Sequence, residues 1–104
     1  MTPYQKGRQY PQIMKNIEIN CEKLRSRKVL HDYLERTLSL PADYGRNLDA
    51  LHDHLAMCNA NEAIHFIIVN REKQSSRTVE LYRALLDMLT KLSEVNPNIS
   101  FEEL

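Results

Sequence analysis

Hydrophobic positions change period several times along the chain, and each change marks an element. In "KNIEIN" (residues 15–20) Ile17 and Ile19 alternate with polar neighbours, the period of a strand with one buried face. Ser26 is placed to cap a helix. Beyond it Leu30, Tyr33, Leu34 and Leu38 recur at i, i+3, i+4 and i+8, a single apolar stripe. Pro41 is expected to stop that helix. A second, short helix should start after Asn47, with Leu48, Leu51 and Leu55 facing inward and Ala50 permitting close approach. "AIHFIIVN" (residues 63–70) is continuously apolar and β-rich, which predicts a strand buried on both faces. "REKQSSR" reads as a polar loop. From Thr78 onward Val79, Tyr82, Leu85, Leu86, Leu89 and Leu92 mark the longest helix, ended by Asn96 and Pro97. "NISF" follows as a last strand. The order β-α-α-β-α-β separates strands by helices, which favours a parallel sheet with right-handed crossovers. The pattern predicts a small two-layer α/β domain.

Length and composition narrow this picture without redirecting it. A chain of 104 residues supports one domain with a single core. Residues 1–12 hold two prolines, a glycine and mostly polar side chains, and read as a flexible extension ahead of a domain spanning 13–104. The formal net charge is zero, so no global field points to nucleic acid or membrane. No apolar run is long enough to span a membrane, and no signal-type segment opens the chain. Two cysteines without metal-type spacing suggest reduced thiols and a cytoplasmic location.

Candidate chemistry is sparse. With two glycines there is no phosphate cradle, and no serine or cysteine elbow is present. His52 and His54 cannot share a helix face, and His65 in the apolar strand reads as a hydrogen-bonded core or edge residue. His54 and Cys58 stand at i, i+4, but two ligands do not make a metal site. No catalysis, metal or cofactor is therefore expected. The basic run "KLRSRK" (residues 23–28), with Lys6, Arg8 and Lys15, reads as solvated surface, because little aromatic interleaving accompanies it.

Asp49 and Asp53 are sharper. Their i, i+4 spacing puts both carboxylates on one helix face, away from the leucines. Like charges at that spacing repel, and only Asp49 lies close enough to the helix N-terminus to be compensated by its dipole. Either Arg46 neutralises Asp49 from the preceding loop, or the pair faces a partner.

The stretch "LPADYGRNLDALHDHL" (residues 40–55) resembles the loop-and-helix signature of the barstar family, intracellular inhibitors of secreted ribonucleases. Leu40, Pro41, Tyr44, Gly45, Asn47, Leu48, Asp49, Ala50, Leu51 and Asp53 match its pattern in register. "NIEINCEKLRS" is similar to the family's first strand and entry into its first helix. The resemblance implies a three-stranded parallel sheet, in agreement with the element order. It also implies a single domain, a monomer when free, that binds a nuclease toxin, a ribonuclease in the first instance. Asp49 and Asp53 would fill its basic cleft, Asp53 in the place of substrate phosphate, surrounded by Asp43, Tyr44, Arg46, Asn47 and His52. Asn47 would serve as cap and Gly45 as a turn residue tolerant of positive φ. This chain departs from the family at Asp43, His52 and Cys58, where the family pattern has aromatics, and at Arg46, where it has an acid. A further family acid falls near Ala84, with Asp87 close by. These changes suit an immunity protein matched to a diverged toxin. The alternative is an interaction module whose partner is no nuclease.

Overall fold

The computed structural model describes residues 13–57 and 62–104. Strand β1 (Ile13–Asn20), helices α1 (Arg27–Thr37) and α2 (Leu48–Ala56), strand β2 (Glu62–Val69), helix α3 (Val79–Val95) and strand β3 (Ile99–Glu103) follow in the predicted order. The polar segment before α3 is built from two short 3-10 turns, Arg71–Lys73 and Ser76–Thr78. The expected extension over residues 1–12 and the Cys58 thiol lie outside the described residues.

The three strands form one parallel sheet in the order β1-β2-β3. Its register puts Ile17 opposite Phe66, Ile19 opposite Ile68, and Phe66 opposite Phe101. Because side chains alternate along a strand, this places Ile17, Ile19, Ile64, Phe66, Ile68 and Ile99 on one face. All six are buried, in a single cluster with Leu30 and Leu34 of α1, Leu51 and Leu55 of α2, and Leu85, Leu89 and Leu92 of α3. Asn16, Glu18, Ser100 and Glu102 point the other way and are exposed. The helices cover one face only.

That one-sided cover corrects the expectation for β2. Ile64, Phe66 and Ile68 are buried, but His65, Ile67 and Val69 on the opposite face are only half-buried. An unbroken apolar run cannot distinguish a two-sided strand from the central strand of a sheet covered on one side. His65 is a hydrogen-bonded residue of that outer face, bonded to Ser100 Oγ at 2.7 Å and to Glu102 Oε2 at 3.0 Å.

Local signals set the helix limits. Ser26 caps α1, its Oγ accepting from the Val29 N–H at 3.1 Å. The end of α1 is not made by Pro41. The helix stops at Thr37, Ser39 turns left-handed with φ 53°, and the Leu40 N–H returns to the Glu35 carbonyl at 3.0 Å. This is a Schellman-type ending with serine at the position usually given to glycine. Tyr33, predicted on the core face of α1, is half-buried, and its hydroxyl donates to the Glu18 carbonyl at the sheet edge. Tyr82 is fully buried, and its hydroxyl donates to the Leu24 carbonyl at 2.8 Å. At the end of α3, Asn96 Nδ2 donates to the Leu55 carbonyl at 3.0 Å inside the protein. That bond ties the C-terminal turn of α2 to the neighbouring helix. No helix among the described residues is long and apolar enough to cross a membrane.

Candidate functional site

The candidate surface begins with the turn out of α1. The Tyr44 N–H donates to the Pro41 carbonyl at 3.0 Å, folding the loop back on itself. Leu40 and Tyr44 enter the core, while Asp43 remains exposed. Asn47 then caps α2: its Oδ1 accepts from the Ala50 N–H at 2.8 Å, and its Nδ2 donates to the Gly45 carbonyl at 3.1 Å. The cap expected from sequence is present, and it also braces the loop.

The role given to Gly45 needs correction. The left-handed residue is Arg46, with φ 56°, one position later. What Gly45 supplies is room: a Cβ there would stand 3.2 Å from the Ala50 Cβ, an atom fixed on the α2 backbone. Glycine permits the loop to lie against the first turn of the helix.

Arg46 does not neutralise Asp49. Its guanidinium turns to α1, where it pairs with Asp32 and Glu35 and reaches the Lys28 carbonyl at 3.4 Å. Two carboxylates around one guanidinium make a strong charge-assisted arrangement. Hydrogen bonds from Lys28 and Arg46 hold the Asp32 carboxyl below its ordinary range. The tie from loop to helix also fixes a backbone conformation that arginine adopts at a cost.

Beneath this tie lies a residue that sequence reasoning passed over. His31 is buried on α1, and its Nδ1 is 2.7 Å from the Tyr44 hydroxyl. Its Nε2 has no hydrogen-bond partner among the described residues. The available signal was its spacing, since His31, Leu34 and Leu38 repeat at i, i+3 and i+7 on the apolar stripe. Tyr44 is thus an anchor for the loop rather than an exposed contact. Burial pushes its phenol up to about 12, so it stays protonated.

Burial, and then the nearby Arg27 and Arg46 guanidinia, push the His31 imidazole below its ordinary value of 6.5, against the opposing pull of Asp32. The unfolded chain therefore takes up a proton here more readily than the native one. The stabilisation is complete above about pH 6.5 and is lost as pH falls toward the native pKa. Urea midpoints measured from pH 7.5 downward should fall most steeply below that point, and His31→Gln should flatten this part of the profile. An unchanged slope in the variant would assign the effect elsewhere.

With the loop secured, α2 presents its outer face. Asp49 is in the first turn, where the helix dipole favours it. Asp53 is 86% exposed, with His52 Nδ1 3.6 Å from its carboxylate. No Lys or Arg among the described residues pairs with either aspartate. Asp43, Asn47, Asp49 and Asp53 are exposed, His52 and Arg46 are half-buried, and Tyr44 lies beneath them. Asp87 of α3 borders the same region, lining a groove with Asp49 and Ala84.

Two members of the basic set are engaged within the protein. Lys15 donates to the Thr37 carbonyl at the end of α1, Lys28 pairs with Asp32 at 2.9 Å, and Lys6 and Arg8 lie outside the described residues. No group of three His, Cys, Asp or Glu side chains among the described residues could hold a metal ion.

Fold and surface together define a small two-layer α/β domain that offers an uncompensated acidic helix, steadied by a buried loop anchor. A family model described as Barstar (barnase inhibitor) matches residues 14–102, most of the chain. The chain belongs to the barstar family, a family of ribonuclease inhibitors.

Proposed function

We propose that this protein is an immunity-type inhibitor that binds a nuclease toxin, a ribonuclease, and blocks its active site with the loop at residues 40–47 and helix α2. In this reading Asp49 and Asp53 occupy the basic cleft that receives substrate phosphate, and Asp53 stands where the phosphate would. Asp43, Asn47 and His52 contact the rim, while Tyr44 and Arg46 hold the loop in shape. The protein acts as a cytoplasmic monomer without catalysis, metal or cofactor. Its extension at residues 1–12 precedes an inhibitory domain at 13–104.

One observation carries the reading. The cation best placed in sequence to neutralise Asp49 is bound to α1 instead, and no Lys or Arg among the described residues pairs with the α2 carboxylates. Uncompensated like charges on a well-capped helix are mildly unfavourable in the free protein. A cationic cleft relieves that repulsion and supplies charge-assisted hydrogen bonds. Complementary charge also speeds encounter.

The test is an RNA-cleavage assay with barnase, the enzyme in the family's description, and with the product of the reading frame next to this gene. Inhibition is expected to be competitive with RNA and with inorganic phosphate, and association should slow as salt is raised. Tight binding to the neighbouring gene product without any effect on RNA cleavage would favour the non-nuclease partner and overturn this reading.

A further inference from the structure

The sheet face opposite the helices carries a pattern of its own. Parallel register aligns Glu18 of β1, Ile67 of β2 and Glu102 of β3 in one row across the three strands. With strands about 4.8 Å apart, the two acids flank the isoleucine at Cα positions roughly 10 Å from each other. Both glutamates are exposed, while Ile67 and its face neighbour Val69 are half-buried. Glu102 Oε2 lies 3.0 Å from His65 Nε2. No Lys or Arg among the described residues pairs with Glu18 or Glu102, whereas the adjacent Glu103 is held by Arg71 at 2.8 Å. An acid–apolar–acid row on an open sheet face suits an extended segment that is both basic and aromatic.

The chain contains such a segment just ahead of β1. In "YQKGRQY" (residues 4–10) Tyr4, Lys6, Arg8 and Tyr10 take every second position, with Gln5, Gly7 and Gln9 between them. In extended backbone that period puts two cations and two aromatic rings on one side. Residues 1–12 contain no acid.

We propose that residues 4–10 lie extended across the open sheet face, with Lys6 and Arg8 on Glu102 and Glu18 and the tyrosine rings on Ile67 and Val69. The reach fits. Arg8 and Glu18 are each five residues from Ile13, about 17 Å of extended chain, so a reversal at Pro11 brings them level. Proline is suited to that reversal, because its φ is already set for a turn. Lys6 and Arg8 stand roughly 7 Å apart at Cα when extended, and their long stems span the remaining distance while covering Ile67. A second copy is the poorer occupant, since face-to-face stacking would set these acids against themselves. The contact lies on the side of the sheet away from α2, so it goes beyond the inhibitory reading and does not depend on it.

The experiment is nuclear Overhauser spectroscopy on the full chain. Contacts are expected from the Tyr4 and Tyr10 ring protons to the Ile67 and Val69 methyl groups, weakening as salt is raised. Lys6→Glu with Arg8→Glu should abolish them, and so should Glu18→Lys with Glu102→Lys. Combining the two reversals should restore them. Gln5→Ser, on the opposite side of the segment, should leave them unchanged. A mixture of labelled and unlabelled chains identifies the occupant, and contacts within one chain are the expected result. Absence of these contacts, their survival through either charge reversal alone, or their appearance between chains would overturn the proposal.

Discussion

Asp53→Ala is expected to weaken inhibition of the target ribonuclease by roughly a hundred- to several-thousand-fold, while leaving the free protein as stable as before. Asp53 is almost fully exposed and among the described residues has no ion pair beyond its contact with His52, so in the free protein it supports little structure. Removing it even relieves a repulsion with Asp49 worth a few tenths of a kcal/mol. In the proposed complex the same carboxylate would be buried among the cations of the target's cleft. Deleting one member of a buried ion pair leaves the other desolvated and unpaired, a loss of about 3–5 kcal/mol in general. At about 1.4 kcal/mol per tenfold in Kd, this gives the range above. The loss should reside mainly in the dissociation rate, since mutations within one interface change residence more than encounter. Asp49→Ala should cost less, because the dipole that steadies Asp49 in the free helix also limits what a partner can add. The two losses should not sum, since in the proposed complex both carboxylates would meet one cluster of cations. Inhibition constants paired with urea midpoints provide the check. Full inhibition by the double variant would sink the plug mechanism, whatever its fold.

Leu51→Ala should do the opposite, costing stability more than binding. Leu51 is fully buried in the middle of α2 and belongs to the main core cluster. Truncation removes its transfer free energy and leaves a cavity between helix and sheet, a loss of about 2–5 kcal/mol. For a domain of this size each kcal/mol lowers Tm by roughly 4–8 °C, so a drop of at least ~8 °C is expected by calorimetry. Leu48 is only half-buried, and Leu48→Ala should cost clearly less stability. Binding to the target adds its own stabilisation by mass action, so inhibition at saturating target should persist. A Leu51→Ala protein with unchanged Tm would mean that α2 is not held by the core in the way described.

Much of the frame was legible because it rests on local signals. Ile17 and Ile19 announce β1 by their two-residue period, and the leucines of α3 announce its length. Ser26 and Asn47 announce helix starts, since a cap acts within four residues. Errors arose where a local pattern has two global solutions. "AIHFIIVN" suits a strand covered on both faces or the middle of a sheet covered on one, and only the placement of the helices decides. Pro41 was an available stop signal, but the αL conformation at Ser39 had already ended α1. The left-handed position falls on Arg46 rather than Gly45, and an ion-pair tie to α1 holds the arginine there.

The candidate site divides in the same way. By itself the sequence determined that Asp49 and Asp53 share a face of a capped helix, since helical geometry needs nothing beyond their spacing. Only the tertiary structure decided that no Lys or Arg among the described residues pairs with this face. Arg46 is close to Asp49 along the chain, yet α1 offers it Asp32 and Glu35 in one place, and two acids outcompete one exposed acid. Only the tertiary structure set Tyr44 on His31, and only it brought Asp87 of α3 to the groove beside Asp49. Charge and shape at a surface depend on which helices become neighbours. That is a product of how the core packs, and no periodicity along the chain encodes it.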